Sequence, residues 1–464
     1  MNLVNDGWMV PADPLVGALE NKYNLRIGLY VTLILLDCAL IGLAFGSVGW
    51  LGDSSWLDFQ GMKLGAMVIP IFLGVAINGN SYSLQALMRP GQAALQVAVY
   101  LFFAMLSVQC VLYFAHVSAS TSRLLFGCGI LISALLLAAV RRPFTRYALK
   151  RTGGNLTAEL FIRDGVDLDL KPGKHVPLMV DADAHGLRPD LHDPWMLHRL
   201  GNWLRTFDRV VVACPEERRH DWSILLRGSS IQGEIITGSV ESGAIGIGSF
   251  GGRETHIVSK GPLNMSNRVK KRLFDLALTL PALFLLAPLM ILVAIAIKID
   301  SRGPVLFLQE RVGLGNRLFR IAKFRSMHGA EADLKGATSA SRSDSRVTRV
   351  GRILRKTSID ELPQLFNVLL GQMSIVGPRP HALGSTADAK LFWQISEYYW
   401  CRHALKPGIT GLAQVRGYRG ATEKMADLEN RLGADLEYLR DWSLTREIVI
   451  VLRTFSVLVH KNAF

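Results

Sequence analysis

The sequence predicts a chain in three parts. Residues 1–152 form a membrane α-helical bundle of four helices, 153–265 a small α/β domain, and 266–464 a motif-dense part that opens on a proline-broken membrane segment. Three observations carry this reading. Four apolar runs crowd the first third, at Ile27–Trp50, Leu64–Ile77, Ala93–Ala115 and Leu124–Val140. From about Gly153 to Gly261 the composition turns soluble. A fifth run, Leu276–Ile297, carries no charge yet contains Pro281 and Pro288.

A helix crosses a bilayer with about 20 apolar residues. The first, third and fourth runs meet or approach that length, whereas the second is shorter and contains Pro70. The segment Met1–Leu25 is polar and mixed in charge, without the basic start and small-residue cleavage site of a secretory signal. Lys22 and Arg26 precede the first run, and Arg141, Arg142, Arg146, Lys150 and Arg151 crowd the exit of the fourth. The positive-inside rule then puts both ends of the four-helix unit in the cytoplasm. Asp37 lies inside the first run, either as a functional carboxylate or as an inter-helix hydrogen-bond partner.

The α/β expectation rests on two strand-like stretches, Val176–Val180 and Asp208–Cys214, with a helix-like Pro194–Thr206 between them. Gly246-Ile-Gly-Ser-Phe-Gly251 matches a dinucleotide fingerprint as a string. That fingerprint requires a following helix, and here the strand-like Thr255–Val258 follows, so a glycine-rich turn is the better reading.

The fifth run is long enough to span, but its prolines remove backbone hydrogen bonds and kink a helix. Arg268, Lys270, Lys271 and Arg272 precede it, and Lys298, Arg302, Arg311 and Arg317 follow. Two basic flanks suit a hairpin that turns near Pro288 and returns to the same face; a kinked spanning helix is the alternative.

Half of the 464 residues are apolar and only 19% are charged, against about 25% in ordinary soluble domains. Mean hydropathy is +0.26. Disordered, collagen-like and disulfide-scaffold classes are excluded. The net charge of +14 suggests anionic partners: nucleic acid, lipid head groups or phosphorylated substrates. Nucleic acid falls away, because the basic stretches lack interleaved aromatics on a recognisable fold. Cys38, Cys110, Cys128, Cys214 and Cys401 are odd in number and widely spaced, which suits reduced structural cysteine.

Polar motifs crowd the last part. They are Lys323–Met327, Asp344 with Arg346–Thr348, Arg355–Gln364, Asn367, Gly371–Pro380, Lys406–Gly411, Gln414, Arg416, Asp435–Tyr438 and Trp442. Their physical content is a carboxylate pair, Asp360 and Glu361, on which Lys323, Arg325, Arg355, Arg379 and Arg402 can converge. Arginine forks bind phosphate oxygens and lysine acts as a point charge. A hard divalent ion takes one or two carboxylates plus substrate phosphates. Aspartate is also a nucleophile for phosphoryl groups. Ser358-Ile-Asp-Glu361 reads equally as a helix capping box, and the two readings are compatible. His381, His403 and His460 lack metal-site spacing. Glu447–Val459 suits an interfacial helix or a core helix.

In this order, the motifs resemble the bacterial sugar transferase family of polyprenyl-phosphate hexose-1-phosphate transferases. The resemblance runs from about Asn267 to Phe464. The first 265 residues resemble, by architecture, the larger members with four membrane helices and a degenerate Rossmann-like domain. That long form looks like the undecaprenyl-phosphate glucose phosphotransferases, with galactose-transferring relatives close behind. The resemblance implies a mainly α, monotopic catalytic domain with a re-entrant membrane helix, broken here at Ala287-Pro288. It implies that Glu361 holds Mg²⁺ and that Asp360 attacks a UDP-sugar, releasing UMP. Undecaprenyl phosphate then takes the sugar phosphate, the first step of exopolysaccharide repeat-unit assembly. The implied substrate- and phosphate-binding set is Lys323, Arg325, Arg355, Gln364, Arg379, Arg402, Lys406 and Asp435. The implied location is the bacterial inner membrane, in contact with its lipids, with both termini and the catalytic domain cytoplasmic; a homodimer is compatible with it. The competing classes are a membrane-bound nucleotide-sugar dehydratase or epimerase, for which a working fingerprint is missing, and a non-catalytic assembly scaffold.

Overall fold

The computed structural model describes residues 14–52, 60–116, 123–152, 154, 156–168, 178–237, 243–328, 346–418, 422 and 424–458. Asp344, His460, Val459 and the start of the expected strand at Val176 lie outside the described residues. The chain divides into two compact units, Met1–Ala158 and Glu159–Phe464.

The first unit is helical: α1 (Pro14–Gly52), α2 (Gln60–Asn78), the short α3 (Leu84–Met88), α4 (Pro90–Phe114) and α5 (Arg123–Arg151). α1 packs on α2 and α5, and α4 packs on the same two, which closes a four-helix ring. On α4 the buried residues Ala93, Val97, Leu101, Ala104, Val108 and Leu112 recur every three or four positions. Leu95, Phe102, Phe103 and Leu106 are exposed. An apolar outer face is what lipid requires. α1, α4 and α5 contain apolar stretches long enough to span, whereas α2 is shorter and carries Pro70. Asp37 is fully buried and accepts hydrogen bonds from Arg141 Nη2 at 2.7 Å and Tyr82 Oη at 2.9 Å. Of its two readings, the structure favours the inter-helix link.

The second unit begins with a mixed sheet of β1 (Glu159–Arg163), β2 (Leu178–Asp181), β3 (Arg209–Ala213), β4 (Gln232–Ile236), β5 (Gly246–Phe250) and β6 (Arg253–Lys260). The strand order is β2-β1-β3-β4-β6-β5. The first four are parallel, with Phe161 opposite both Met179 and Val211. β6 and β5 run antiparallel. α6 (Pro194–Leu204) and α7 (Glu216–Gly228) occupy the crossovers. The Gly246–Gly251 string is the edge strand β5 and its tight turn, where Gly251 and Gly252 take positive φ of 56° and 78°. A hairpin turn of that kind favours glycine.

This sheet braces the next segment. α8 (Met265–Asp300) leads to the antiparallel pair β7 (Leu306–Val312) and β8 (Leu318–Phe324), joined through a 3₁₀ turn, Leu314–Asn316. α6 packs on that turn, and His198 Nδ1 accepts a hydrogen bond from Leu318 N at 3.0 Å. α7 packs on the 3₁₀ segment Glu397–Ala404 so closely that a β-carbon on Gly228 would lie 2.8 Å from the Trp400 carbonyl oxygen.

α8 is helical through both Pro281 and Pro288. Its buried residues lie near the two ends: Ser266, Lys271, Asp275 and Thr279, then Val293 and Ile297. Between them Phe284 and Leu285 are 82% and 73% exposed. The helix is long and apolar enough to cross a membrane.

The remaining elements are mainly helical: α9 (Arg349–Thr357), α10 (Gln364–Leu369), β9 (Ser374–Val376), β10 (Thr386–Ala387), β11 (Lys390–Leu391), α11 (Phe392–Ile395), β12 (Gly408–Thr410), α12 (Leu412–Val415), α13 (Met425–Arg440) and α14 (Leu444–Leu458). β9 and β12 pair in parallel. α14 buries Glu447 and Ile450 but exposes Ile448 and Leu452, so it has a core face and an open apolar face.

Candidate active site

The carboxylate pair sits on a 3₁₀ turn, Ile359–Glu361, between α9 and α10. α9 ends because Ser358 adopts the left-handed conformation, with φ 57° and ψ 17°. The expected capping box is therefore not formed: Ser358 makes no side-chain cap hydrogen bond to this turn. In a 3₁₀ turn, residues three apart share a face. Ile359 and Leu362 pack against Val293, Ile297, Phe324 and Leu354. That burial turns the intervening Asp360 and Glu361 outward. The C-terminal half of α8 thus forms the floor beneath the pair.

Two cations reach Glu361. β8 alternates its side chains, so Phe324 enters the core while Lys323 faces the turn. Lys323 Nζ donates to Glu361 Oε1 at 2.8 Å. Arg379, just past β9, donates from Nη2 to the same oxygen at 2.9 Å. Burial alone would raise the Glu361 carboxyl. The charges and hydrogen bonds of Arg379 and Lys323 outweigh it and hold Glu361 well below the usual carboxylate range. Asp360 behaves oppositely. Burial pushes its carboxyl up and adjacent Glu361 adds to the rise; Lys323, Arg355 and Arg379 offset only part of it. The pair therefore divides into a firmly ionised carboxylate and a more basic one.

Lys323 and Arg379 bond to the pair and Arg355 acts on it electrostatically; the other five expected residues stand elsewhere. Arg325 is buried and donates to the Ser301 and Arg302 carbonyl oxygens and to Ser301 Oγ, at 2.7–3.0 Å, closing the end of α8. Arg325 follows the last residue of β8, and its N–H still bonds the Val305 carbonyl at 2.9 Å. Arg402 is 1% exposed and pairs with Asp435 at 2.6 Å. It also contacts His381 Nδ1 at 2.7 Å and donates to the Arg379 carbonyl at 2.8 Å. Arg402 and Asp435 thus position Arg379 from behind. Burial pushes the Asp435 carboxyl up, against the pull of Arg402. Lys406 stands beside Arg272 and Gly371. Gln364 is buried at the start of α10. His381 and His403 are buried and bonded to Arg402 and Asn316.

Sequence reasoning missed the groups that hold this frame together. Lys271 Nζ donates to Glu447 Oε1 at 2.7 Å, the Val376 carbonyl at 2.9 Å and Tyr438 Oη at 3.1 Å. The signal was present, in a charged residue at the start of an apolar helix and a glutamate within another. The 176-residue separation concealed the pairing.

The residues fit a hard divalent ion such as Mg²⁺. The second oxygen of Glu361 and both oxygens of Asp360 take no hydrogen bond from the described residues. No cluster of three or more His, Cys, Asp or Glu suited to a metal occurs among the described residues. An ion held by one or two carboxylates with water and substrate phosphate completing its shell matches that donor set.

Comparison with known proteins adds what the chain is similar to. The family model of the bacterial sugar transferases matches residues 266–461. An undecaprenyl-phosphate glucose phosphotransferase of Komagataeibacter xylinus is 44% identical over 264 residues, covering 55% of this chain and 50% of that protein. A UDP-glucose:undecaprenyl-phosphate glucose-1-phosphate transferase of Escherichia coli is 47% identical over 204 residues, covering 44% and 43%. One from Caulobacter vibrioides is 51% identical over 208 residues, covering 44% and 76%. The chain thus spans about half the length of the first two relatives and three quarters of the third. With the matched region containing the carboxylate turn and its cations, the chain belongs to the bacterial sugar transferase family.

Proposed function

We propose that the protein transfers glucose 1-phosphate from UDP-glucose to undecaprenyl phosphate, as its relatives are named for doing, and so begins exopolysaccharide assembly. One observation carries this: an outward carboxylate pair in which Glu361 is neutralised by Lys323 and Arg379 while Asp360 keeps a raised pKa. An Asp360 oxygen attacks the phosphorus bearing the sugar. The bond from that phosphorus to the bridging oxygen breaks, the electron pair leaves with UMP, and an aspartyl-phosphosugar remains. An oxygen of undecaprenyl phosphate then attacks the same phosphorus, the carboxylate departs, and a sugar-diphosphate lipid forms. Lys323, Arg379 and Arg355 hold phosphate oxygens throughout. When bound, Mg²⁺ would be held by Glu361 and supply charge neutralisation at the phosphates. The test supplies membranes carrying the protein with radiolabelled UDP-sugars, Mg²⁺ and undecaprenyl phosphate. The expected result is label in lipid with equimolar UMP, highest for UDP-glucose. A scaffold would transfer nothing.

The same reading places the catalytic part in the cytoplasm, where UDP-sugars are made, at the inner membrane. It retains the boundaries near residues 152 and 265, with a Rossmann-like character for the sheet. Four bundle helices then return the chain to the cytoplasm, and α8 enters and leaves one leaflet. Support comes from the prolines, the basic flanks, and burial of both helix ends in one compact unit while the middle stays exposed. Single cysteines placed just before Met265 and just after Asp300 are expected to react only from the cytoplasmic side. Periplasmic labelling after residue 300 would overturn the re-entrant geometry.

A further inference from the structure

Lys406 was grouped by motif with the phosphate-holding residues of the carboxylate pair, but its neighbours are different. A β-carbon built on Gly371 would lie 3.5 Å from Lys406 Nζ and 3.8 Å from Arg272 Nη2, so the two cations converge on one point. Gly371 is left-handed, with φ 79°, and leaves that space open. Arg272 has a structural reason to be there: it donates to the Val368 and Leu369 carbonyl oxygens at 2.6 and 2.7 Å, capping the end of α10. That uses two of its five N–H groups. Lys406 Nζ is shaped by burial and by the charges of Arg272, Asp275, Lys271 and Arg317.

Asp275 acts on Lys406 and offsets part of the local positive charge, but its carboxylate is already engaged. Asp275 accepts from Ser374 Oγ at 2.7 Å and Ile375 N at 2.9 Å. Glu447 is held by Lys271. Burial pushes the Lys406 ammonium below its ordinary value and Arg272 adds to the fall, while Asp275 offsets only part of it. An anion at this point would relieve both effects.

Apolar side chains on α10 and next to Arg272 on α8 are exposed. Leu370 is 73% exposed, Leu273 59% and Phe366 45%. Leu273 also lies where α8 passes from its basic start into its uncharged run. Paired cations on elements that also expose apolar side chains suit a group that is anionic at one end and hydrocarbon at the other.

We infer that Lys406 and Arg272 form a binding site for the phosphate of a membrane-lipid head group, at the base of α8 and distinct from the carboxylate pair. No step of the proposed transfer passes through this site, so it goes beyond that reading and fails or stands separately from it.

The test is native mass spectrometry of the full-length protein in neutral detergent, with phosphatidylglycerol, phosphatidylcholine, undecaprenyl phosphate and inorganic phosphate as separate probes. Wild type is expected to retain phosphatidylglycerol over phosphatidylcholine by about fivefold, the effect of one lysine at an anionic surface. Lys406→Gln should remove that preference, and Lys406→Arg should restore it. Asp360→Asn should leave it unchanged, even if transfer is abolished. Undecaprenyl phosphate retained on the same Lys406-dependent terms also supports a lipid-phosphate site. Equal phosphatidylglycerol retention by wild type and Lys406→Gln would overturn the site. Displacement of phosphatidylglycerol by millimolar inorganic phosphate would overturn its assignment to lipid. A preference lost in Asp360→Asn as well would assign the binding to the carboxylate pair instead.

Discussion

Asp360→Asn is expected to reduce transfer of label into lipid by at least ~10³-fold while the protein still folds, because the amide keeps the side chain's shape but removes the nucleophile. Wild type without acceptor lipid should release UMP in a burst equal to the enzyme present, and the variant should show no burst. Glu361→Gln should also be impaired, but through loss of phosphate neutralisation rather than loss of the burst chemistry. If Asp360→Asn keeps the burst and Glu361→Gln abolishes it, the roles are reversed. The pH profile gives an independent check. The nucleophile must be ionised, and burial raises the Asp360 carboxyl. Transfer should therefore be full above that raised pKa and fall about tenfold per pH unit below it. Glu361, held well below the usual range by Arg379 and Lys323, stays ionised across the same window. An acid limb in the ordinary aspartate range or below would contradict the assigned environment of Asp360.

The largest effect on stability is expected from Lys271→Met. Glu447 is fully buried, and Lys271 is its cationic partner at 2.7 Å. Removing one member of a buried pair leaves an uncompensated charge and costs about 3–5 kcal/mol. Tyr438 and Trp442 also bond Glu447, the latter at 2.6 Å, so the loss is shared but not removed. Chemical denaturation of the purified full chain, followed by protease susceptibility, measures it. The double variant Lys271→Met with Glu447→Leu should recover most of the stability, since well-packed apolar replacements of buried pairs are often neutral. Equal destabilisation of single and double variants would show that packing, not charge, dominates there. Transfer should weaken in the single variant too. Lys271 holds the Val376 carbonyl, three residues before Arg379, so a loosened α8 moves a cation of the site.

Much of the fold is legible in the chain itself. Apolar runs announce α1, α4, α5 and α8, because lipid demands an uninterrupted hydrocarbon surface. The valine run of β3 and the turn glycines at 251 and 252 announce the sheet. The carboxylate pair is visible in the chain as adjacent acids amid basic motifs, although the same string also reads as a capping box. Other features are not local. Arg325, Arg379 and Arg402 look alike in sequence, yet only Arg379 reaches Glu361; Arg325 closes α8 and Arg402 is buried behind Arg379. The capping box at Ser358 fails for a reason no pattern displays, the left-handed residue that turns Ile359 and Leu362 into the core.

The sequence by itself determined the membrane character of the chain, its soluble sheet segment and the chemistry available to it. Those follow from composition and short-range spacing, which water and lipid read directly. Only the tertiary structure decided which cations serve the carboxylates, which serve the frame, and that Lys406 meets Arg272 rather than Asp360. Such pairings join residues that are not neighbours in the chain, from 18 positions apart for Arg379 and Glu361 to 176 for Lys271 and Glu447, and they depend on how buried apolar contacts orient each helix and strand.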